Sequence, residues 1–511
     1  MSVMPAGPAS TSFPSSAQTA EPSLLPTQKQ FFFLLAAYFG LHVLSRALVS
    51  ETVGIDEADQ LVLGQKLSWG YGPQAPLYTW LMIFFLKTFG YSVFSLMLLR
   101  EAMLFGIYAL TYFNARRFAG SHVCGIAAAA ALQFHPSIVW EAQRELTHSL
   151  AASLMILATL LAFQTLRKER LFPWIVFGVC AGLATLSKYN AALVYAALLI
   201  SGLTLPELRP RVLDWRMGLA TAICLLVVLP NAIWAVNHLG QASVSLYKLR
   251  IQPTTPWVTA VTAGLRVWLQ TAAAHLATLS VLFAVLFWRP IFRERVLWRS
   301  SSVEVRLLWR VFLILNLLVV LAILFFKITA FKDRWLQPIF IWFPILLVLW
   351  VQPHLGAARL KTFLGLAGAM TVAMALAIPG RLFLTEWRGR RDVLNAPFRK
   401  FAMDLSTSAR TSECLVSDGY WLGGNMILWF PDKSVYTLDL APPPKNLEAK
   451  SCLVVWDATR RSEPSVALLQ FAKDFTGREV SAAPAYFEEK WKYHESKKMR
   501  LGVLRLTRQG Q

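Results

Sequence analysis

Apolar stretches of 15 to 21 residues recur along the chain, and a bilayer core about 30 Å thick is crossed by roughly 20 apolar helical residues. Eleven such stretches stand out: Phe31 to Ser50, Phe94 to Phe113, Val123 to Trp140, His148 to Leu166, Phe172 to Tyr189, Ala191 to Leu205, Leu219 to Val236, Ala272 to Trp288, Leu308 to Phe326, Leu336 to Val351 and Phe363 to Phe383. They predict a polytopic α-helical membrane domain over residues 30–383, with about 11 transmembrane helices. Three polar regions interrupt or flank it. Met1 to Lys29 is rich in Ser, Pro and Ala with one cation and no basic leader region, which reads as a disordered cytoplasmic tail, residues 1–29. Glu51 to Val93 forms a long loop after the first span.

Beyond Leu384 the pattern changes. Short apolar runs at Cys414 to Val416 and Cys452 to Trp456 alternate with a helix-like stretch at Ser465 to Phe475, predicting a small α/β domain over residues 384–511. Cys414 and Cys452 each open a predicted strand, so a disulfide between neighbouring strands and two separate core thiols are both compatible with the sequence. Cys124, Cys180 and Cys224 fall within spans and read as small packing residues.

Composition decides between two very different proteins. The 511 residues carry a net charge of +21, which in a soluble chain suggests nucleic acid; yet 56% are hydrophobic and only 15% charged, against roughly a quarter charged in ordinary globular proteins. A membrane protein without nucleic acid as partner fits, and the 19 Trp suit headgroup-level anchoring. The cations are also unevenly placed. Loops after the even-numbered spans hold Arg116 and Arg117, the Arg167 to Arg170 group, Arg209, Arg211 and Arg216, five arginines from Arg289 to Arg306, and Arg359 with Lys361. The opposite loops are longer in total and hold fewer, so the dense side is cytoplasmic. With an odd number of spans, loop 51–93 and the 384–511 domain then face outward.

Several nucleotide chemistries are excluded. No Gly-x4-Gly-Lys-Ser/Thr loop and no Gly-x-Gly-x-x-Gly after a strand occurs, the cysteines lack zinc-type spacing, and neither cofactor nor metal is expected. What remains is charge at the outer face. Asp56 and Glu57 follow the first span; they suit capping of an interfacial helix, and equally a catalytic carboxylate that takes the proton of an acceptor hydroxyl. Against the orientation bias, Arg144, Lys188, Lys332 and Arg334 lie close to outer span ends, where they can grip a lipid phosphate and stabilise it as it departs. His148, at the outer start of the fourth span, and Glu145, three residues earlier, form a possible second site. Arg46 and Arg100 lie inside spans, where a charge is costly and faces the protein interior. Lys248, Arg250 and Arg266 occupy a longer loop and receive no role.

Five motifs in order resemble one family. The Asp56–Glu57 pair, the stretch from Trp69 to Leu77, Leu186 to Tyr189, Pro230 and Asn231 with Trp234, and Arg334 and Trp335 with Pro338 are similar to those of the bacterial GT-C glycosyltransferases related to aminoarabinose transferase and protein mannosyltransferases. The resemblance implies an inverting glycosyltransferase that moves a sugar from a polyprenyl-phosphate donor to a cell-envelope acceptor: lipid A, lipopolysaccharide core, another glycan or a protein. It places the reaction on the outer face of the bacterial inner membrane. It also implies Asp56 as catalytic carboxylate with Glu57 beside it, and Lys188 and Arg334 on the donor phosphate. Two positions depart from the family pattern. Thr147 is followed by His148 where relatives commonly carry Asp, and the Asp-His-Pro-Pro of the first loop is here Pro73, Gln74, Ala75 and Pro76. A uronic acid or a neutral hexose donor is compatible with these changes. The alternative reading is a transporter of lipid-linked sugar or solute, which the absence of an evident internal repeat disfavours.

Overall fold

The computed structural model describes residues 25–144, 147–251, 254–294, 302–439, 451–476 and 483–507. Most of the predicted tail therefore lies outside the described residues. Helix α1 (Gln28–Val49) starts behind a reciprocal cap, in which the Thr27 hydroxyl accepts from the Gln30 N–H (3.3 Å) and the Gln30 side chain accepts from the Thr27 N–H (2.9 Å).

Eight helical segments among the described residues are long and apolar enough to cross a membrane. They coincide with eight of the eleven predicted stretches, including α1, α4 (Val93–Ala119) and α6 (His148–Thr165). The other three are shorter. Pro136 lacks an amide donor and its ring clashes with the preceding turn, so the third stretch is α5 (His122–Ala131), one 3₁₀ turn and a π turn at Ser137–Glu141. The fifth and sixth are α7 (Phe172–Ser187) and α8 (Ala191–Thr204), separated by an extended Lys188. The long loop holds two helices of its own, α2 (Ile55–Leu63) and the apolar α3 (Leu77–Phe89). The bundle core is aromatic, with Phe163, Phe177, Trp174, Phe340 and Trp342 fully buried.

Past the last long helix (Ala357–Phe383) the chain forms a five-stranded sheet in the order β2-β1-β3-β5-β4: β1 (Cys414–Ser417), β2 (Ser434–Thr437), β3 (Ser451–Asp457), β4 (Ala485–Lys490) and β5 (Lys498–Thr507). β2, β1 and β3 run parallel, and β5 and β4 are antiparallel additions. Side chains alternate between the two faces. Cys414, Val416, Cys452 and Val454 pack beneath the Val466–Thr476 helix, whereas Leu415, Leu453 and Val455 join the main core with the Tyr420–Trp429 helix. Cys414 and Cys452 stand opposite each other in register with Cα atoms 4.6 Å apart and form a disulfide, which resolves the two readings left open by the sequence.

The sheet domain grips the first loop directly. A Cβ on Gly424 would lie 2.3 Å from the Ala58 carbonyl oxygen, so the Tyr420–Trp429 helix and α2 touch backbone to backbone at a position only glycine allows. Asn425 accepts from the Val53 N–H (2.9 Å), the Trp421 indole donates to the Val53 carbonyl (3.2 Å), and the Gln65 side chain bonds both backbone groups of Val435 at 2.7 Å.

Candidate active site

Helix α2 divides its acids between two tasks. Glu57, at the third helical position, reaches back to the Gly54 N–H (3.1 Å) and forms a buried ion pair with Arg100 of α4. Arg100 donates further to the Gln143 carbonyl (3.1 Å), and the Arg46 guanidinium donates to the Ser50 and Thr52 carbonyls (3.0 and 2.5 Å). The two arginines inside spans thus fix the entry to α2 and its first turn. Asp56 and Asp59, three apart on the helix, both line a cavity of about 360 Å³.

That cavity collects cations from three separated segments: Lys188 after α7, Lys248, and Lys332 with Arg334 at the start of the Asp333–Phe340 helix. The Arg334 guanidinium meets Asp56 at 2.5 Å. Its backbone is pinned from below, where the Lys188 ammonium donates to the Arg334 carbonyl (2.5 Å) and to the Ser149 hydroxyl (2.6 Å), and Ser149 donates to the same carbonyl (2.7 Å). Asn190 does the same for the Trp335 carbonyl (2.7 Å). Burial, together with the nearby charges of Lys248 and Arg334, lowers the pKa of Lys332. Such crowding of like charges favours an anionic guest.

Burial, then repulsion from Asp56, pushes the Asp59 carboxyl up to about 7. With a folded-state value above the ordinary carboxyl range, protonated Asp59 gives the fold a stability that is fully present below that range and is lost as pH rises through about 7. Above it, an ionised Asp59 competes with an anionic ligand for Lys248 and Arg334. Asp59→Asn is therefore expected to remove a several-fold rise in donor KM between pH 6 and 8, read from pH-dependent kinetics. A KM profile in the variant that still rises through pH 7 would refute the assignment.

The motifs of the first loop converge on the same place. Pro73, Gln74 and Ala75 line the cavity, as do Thr147 and His148. The loop is held by the Pro230 region, since Asn231 donates to the Trp69 carbonyl (2.7 Å) and Trp234 packs so close to Gly70 that a Cβ there would lie 2.0 Å from the indole. Among the predicted residues, Asp56, Lys188, Lys332, Arg334 and His148 thus come together. Glu57 does not, because its carboxylate is consumed by Arg100 and the helix cap. Arg144 is not among the lining residues; it stacks over Trp140 at 5.9 Å. Glu145 lies outside the described residues. Lys248, given no role from sequence, enters the cavity because the Leu249 carbonyl accepts from the Thr329 and Ala330 amides, tying its loop beside Lys332. A pairing across some 80 residues left no local signal.

A family profile described as dolichyl-phosphate-mannose-protein mannosyltransferase matches residues 73–234. The chain is 30% identical over 432 residues to the lipopolysaccharide core galacturonosyltransferase RgtB of Rhizobium johnstonii, covering 83% of this chain and 86% of that protein. The chain belongs to the GT-C glycosyltransferases. A second relative, the galacturonosyltransferase RgtA of the same organism, is also 30% identical, over 87% of this chain and 89% of its own length. This GT-C chain further shares its fold with crystal structures of ArnT from Cupriavidus metallidurans. At 12% identity, the form bound to undecaprenyl phosphate superposes with a TM-score of 0.58 over 93% of this chain and 98% of that one, and the apo form with 0.57 over 93% and 97%. Both the membrane bundle and the C-terminal sheet domain therefore belong to the fold. As a member of a family of transferases, the enzyme transfers a glycosyl group; the transport alternative is not supported.

Proposed function

We propose that this enzyme transfers galacturonic acid from a polyprenyl-phosphate donor to the core of lipopolysaccharide, with inversion, at the outer face of the bacterial inner membrane. The observation that carries the proposal is the placement of the Asp56 carboxylate, paired with Arg334, within a cavity that also presents Lys188, Lys248 and Lys332. The outward orientation is supported by the cation bias of the loops. The sugar and acceptor are supported by the two galacturonosyltransferase relatives, and the donor lipid by the undecaprenyl phosphate bound in the ArnT relative of the same fold.

The chemistry balances with these groups alone. Asp56 takes the proton of the acceptor hydroxyl as its oxygen attacks the anomeric carbon, and the bond from that carbon to the donor phosphate breaks on the opposite face. The electron pair leaves with the polyprenyl phosphate, whose added negative charge is met by Arg334, Lys188 and Lys332. Positive charge builds on the sugar ring in an oxocarbenium-like transition state, by analogy with glycoside hydrolysis. Without donor, Arg334 is held by Asp56; an arriving phosphate competes for the guanidinium and releases Asp56 to act as base. Four cations facing two carboxylates exceed the need of one phosphodiester, which leaves Lys248 to pair with the carboxylate of a uronic acid.

Purified enzyme in vesicles, given polyprenyl-phosphate-linked galacturonic acid and delipidated core oligosaccharide, is expected to yield the glycosylated core. Lys248→Ala is expected to reduce kcat/KM for that donor about tenfold or more, as for loss of a charged hydrogen bond of about 1.5–3 kcal/mol, with no effect on a neutral hexosyl donor. Movement of donor lipid across the bilayer without covalent product would sink the proposal.

A further inference from the structure

A second polar cavity, of about 290 Å³, lies in the C-terminal domain, away from the phosphate-type cations. Its position follows from topology. β1 is flanked by β2 on one side and β3 on the other, all parallel. The chain leaving β1 enters the Tyr420–Trp429 helix on one face of the sheet, and the chain leaving β3 leads to the Val466–Thr476 helix on the other. The two connections part between the carboxyl ends of β1 and β3, the point where open α/β sheets form a ligand crevice. The disulfide joins the opposite ends of the same strands, so it braces the crevice without entering it.

The walls of this crevice have the chemistry of a carbohydrate site. Asp418, directly after β1, and Asp457, the last residue of β3, are linked by the Asp457 N–H bonding the Asp418 carboxylate at 3.3 Å. Arg460, Arg461 and Glu463 add charges of both signs, and the half-buried Trp421 supplies an aromatic wall. Carboxylates accept from sugar hydroxyls, guanidinium groups bind acidic or phosphate substituents, and an indole face covers pyranose C–H groups. The volume is at the small end of the ~300–1,000 Å³ typical of small-ligand pockets.

The crevice is also coupled to the active cavity. Trp421 lines it while its indole N–H holds the Val53 carbonyl, two residues before α2 begins. The neighbouring Tyr420 phenol has its pKa raised by burial and then by the charge of Asp59, which itself lines the active cavity. The start of the Tyr420–Trp429 helix thus touches the crevice and also the chain that leads into α2.

We propose that this crevice binds a sugar residue of the acceptor glycan, remote from the one that is glycosylated, and thereby directs the acceptor toward Asp56. The proposal rests on the transfer reading above for the identity of the glycan. Binding energy from a remote part of a substrate is a general means of orienting the reacting part.

The test uses the full chain in detergent micelles with delipidated core oligosaccharide as probe, comparing wild type, Asp418→Asn, and the doubly substituted surface variant Arg461→Ala with Glu463→Gln. Calorimetric titration is expected to show oligosaccharide binding by wild type and a Kd raised at least tenfold in both variants. In the transfer assay, acceptor KM is expected to rise by the same factor with donor KM unchanged. Equal Kd values in wild type and the surface variant, whose exposed side chains do not endanger folding, would overturn the proposal. So would a rise in donor KM alone, which would assign the crevice to the donor. A wild type that binds the oligosaccharide but transfers no sugar would instead refute the transfer reading and leave the crevice standing.

Discussion

Asp56→Asn is expected to lower kcat about 10²- to 10⁴-fold, the range general-base groups contribute, while donor KM stays level or falls. The split between the two parameters is informative. Asp56 pairs with Arg334 at 2.5 Å, and both side chains are partly exposed, 24% and 40%. An ion pair so placed contributes about 1 kcal/mol or less to stability, so the variant is expected to fold. Freeing Arg334 removes the competitor of the donor phosphate, which is why binding does not suffer. Steady-state kinetics at saturating acceptor measure both quantities. Normal turnover would remove Asp56 from its assigned role, and a raised donor KM with unchanged kcat would recast it as a binding residue.

Arg100→Ala is expected to destabilise the protein by about 3–5 kcal/mol, the range found when one partner of a buried ion pair is deleted. The guanidinium and the Glu57 carboxylate are only 4% and 2% exposed, and the substitution also strands the Gln143 carbonyl. Glu57 would remain buried at the start of α2, held by the Gly54 N–H and by the more remote charge of Arg46. Because α2 carries Asp56, activity is expected to fall together with stability. Thermal unfolding in detergent, followed with the double variant Arg100→Ala and Glu57→Gln, checks the cause: removing both charges is expected to recover part of the loss. A melting temperature equal to wild type in the single variant would show that the pair carries no structural weight.

The contrast between adjacent residues explains what sequence alone conveys here. Asp56 and Glu57 stand side by side and read alike as outer-face acids, yet successive helix positions point about 100° apart, and only one of them faces the cavity. Their division of labour depends on Arg100, 43 residues on, whose cost inside a span signalled an interior position but no partner. The long helices were legible because bilayer thickness imposes a length on apolar runs, and β1, β3 and the Val466–Thr476 helix because their patterns are short and clear. The third span was overestimated where Pro136 interrupts an apolar run. Lys188 and Arg334 were legible as cations placed against the topological bias, whereas Lys248 belongs to the site only through backbone bonds to Thr329 and Ala330. Asp59 stands among the acids of the first loop, but its raised pKa depends on burial that a sequence does not display.

In the proposed reaction this enzyme adds a uronic acid to the lipopolysaccharide core. Mass spectrometry of core oligosaccharide from cells with the gene, without it, and complemented with Asp56→Asn tests for that addition. A core lacking one or more galacturonic acid residues is expected in the deletion strain and in the Asp56→Asn strain, with the sugar restored by the wild-type gene. An identical core in all three strains, or loss of a neutral sugar with every galacturonic acid retained, would contradict it.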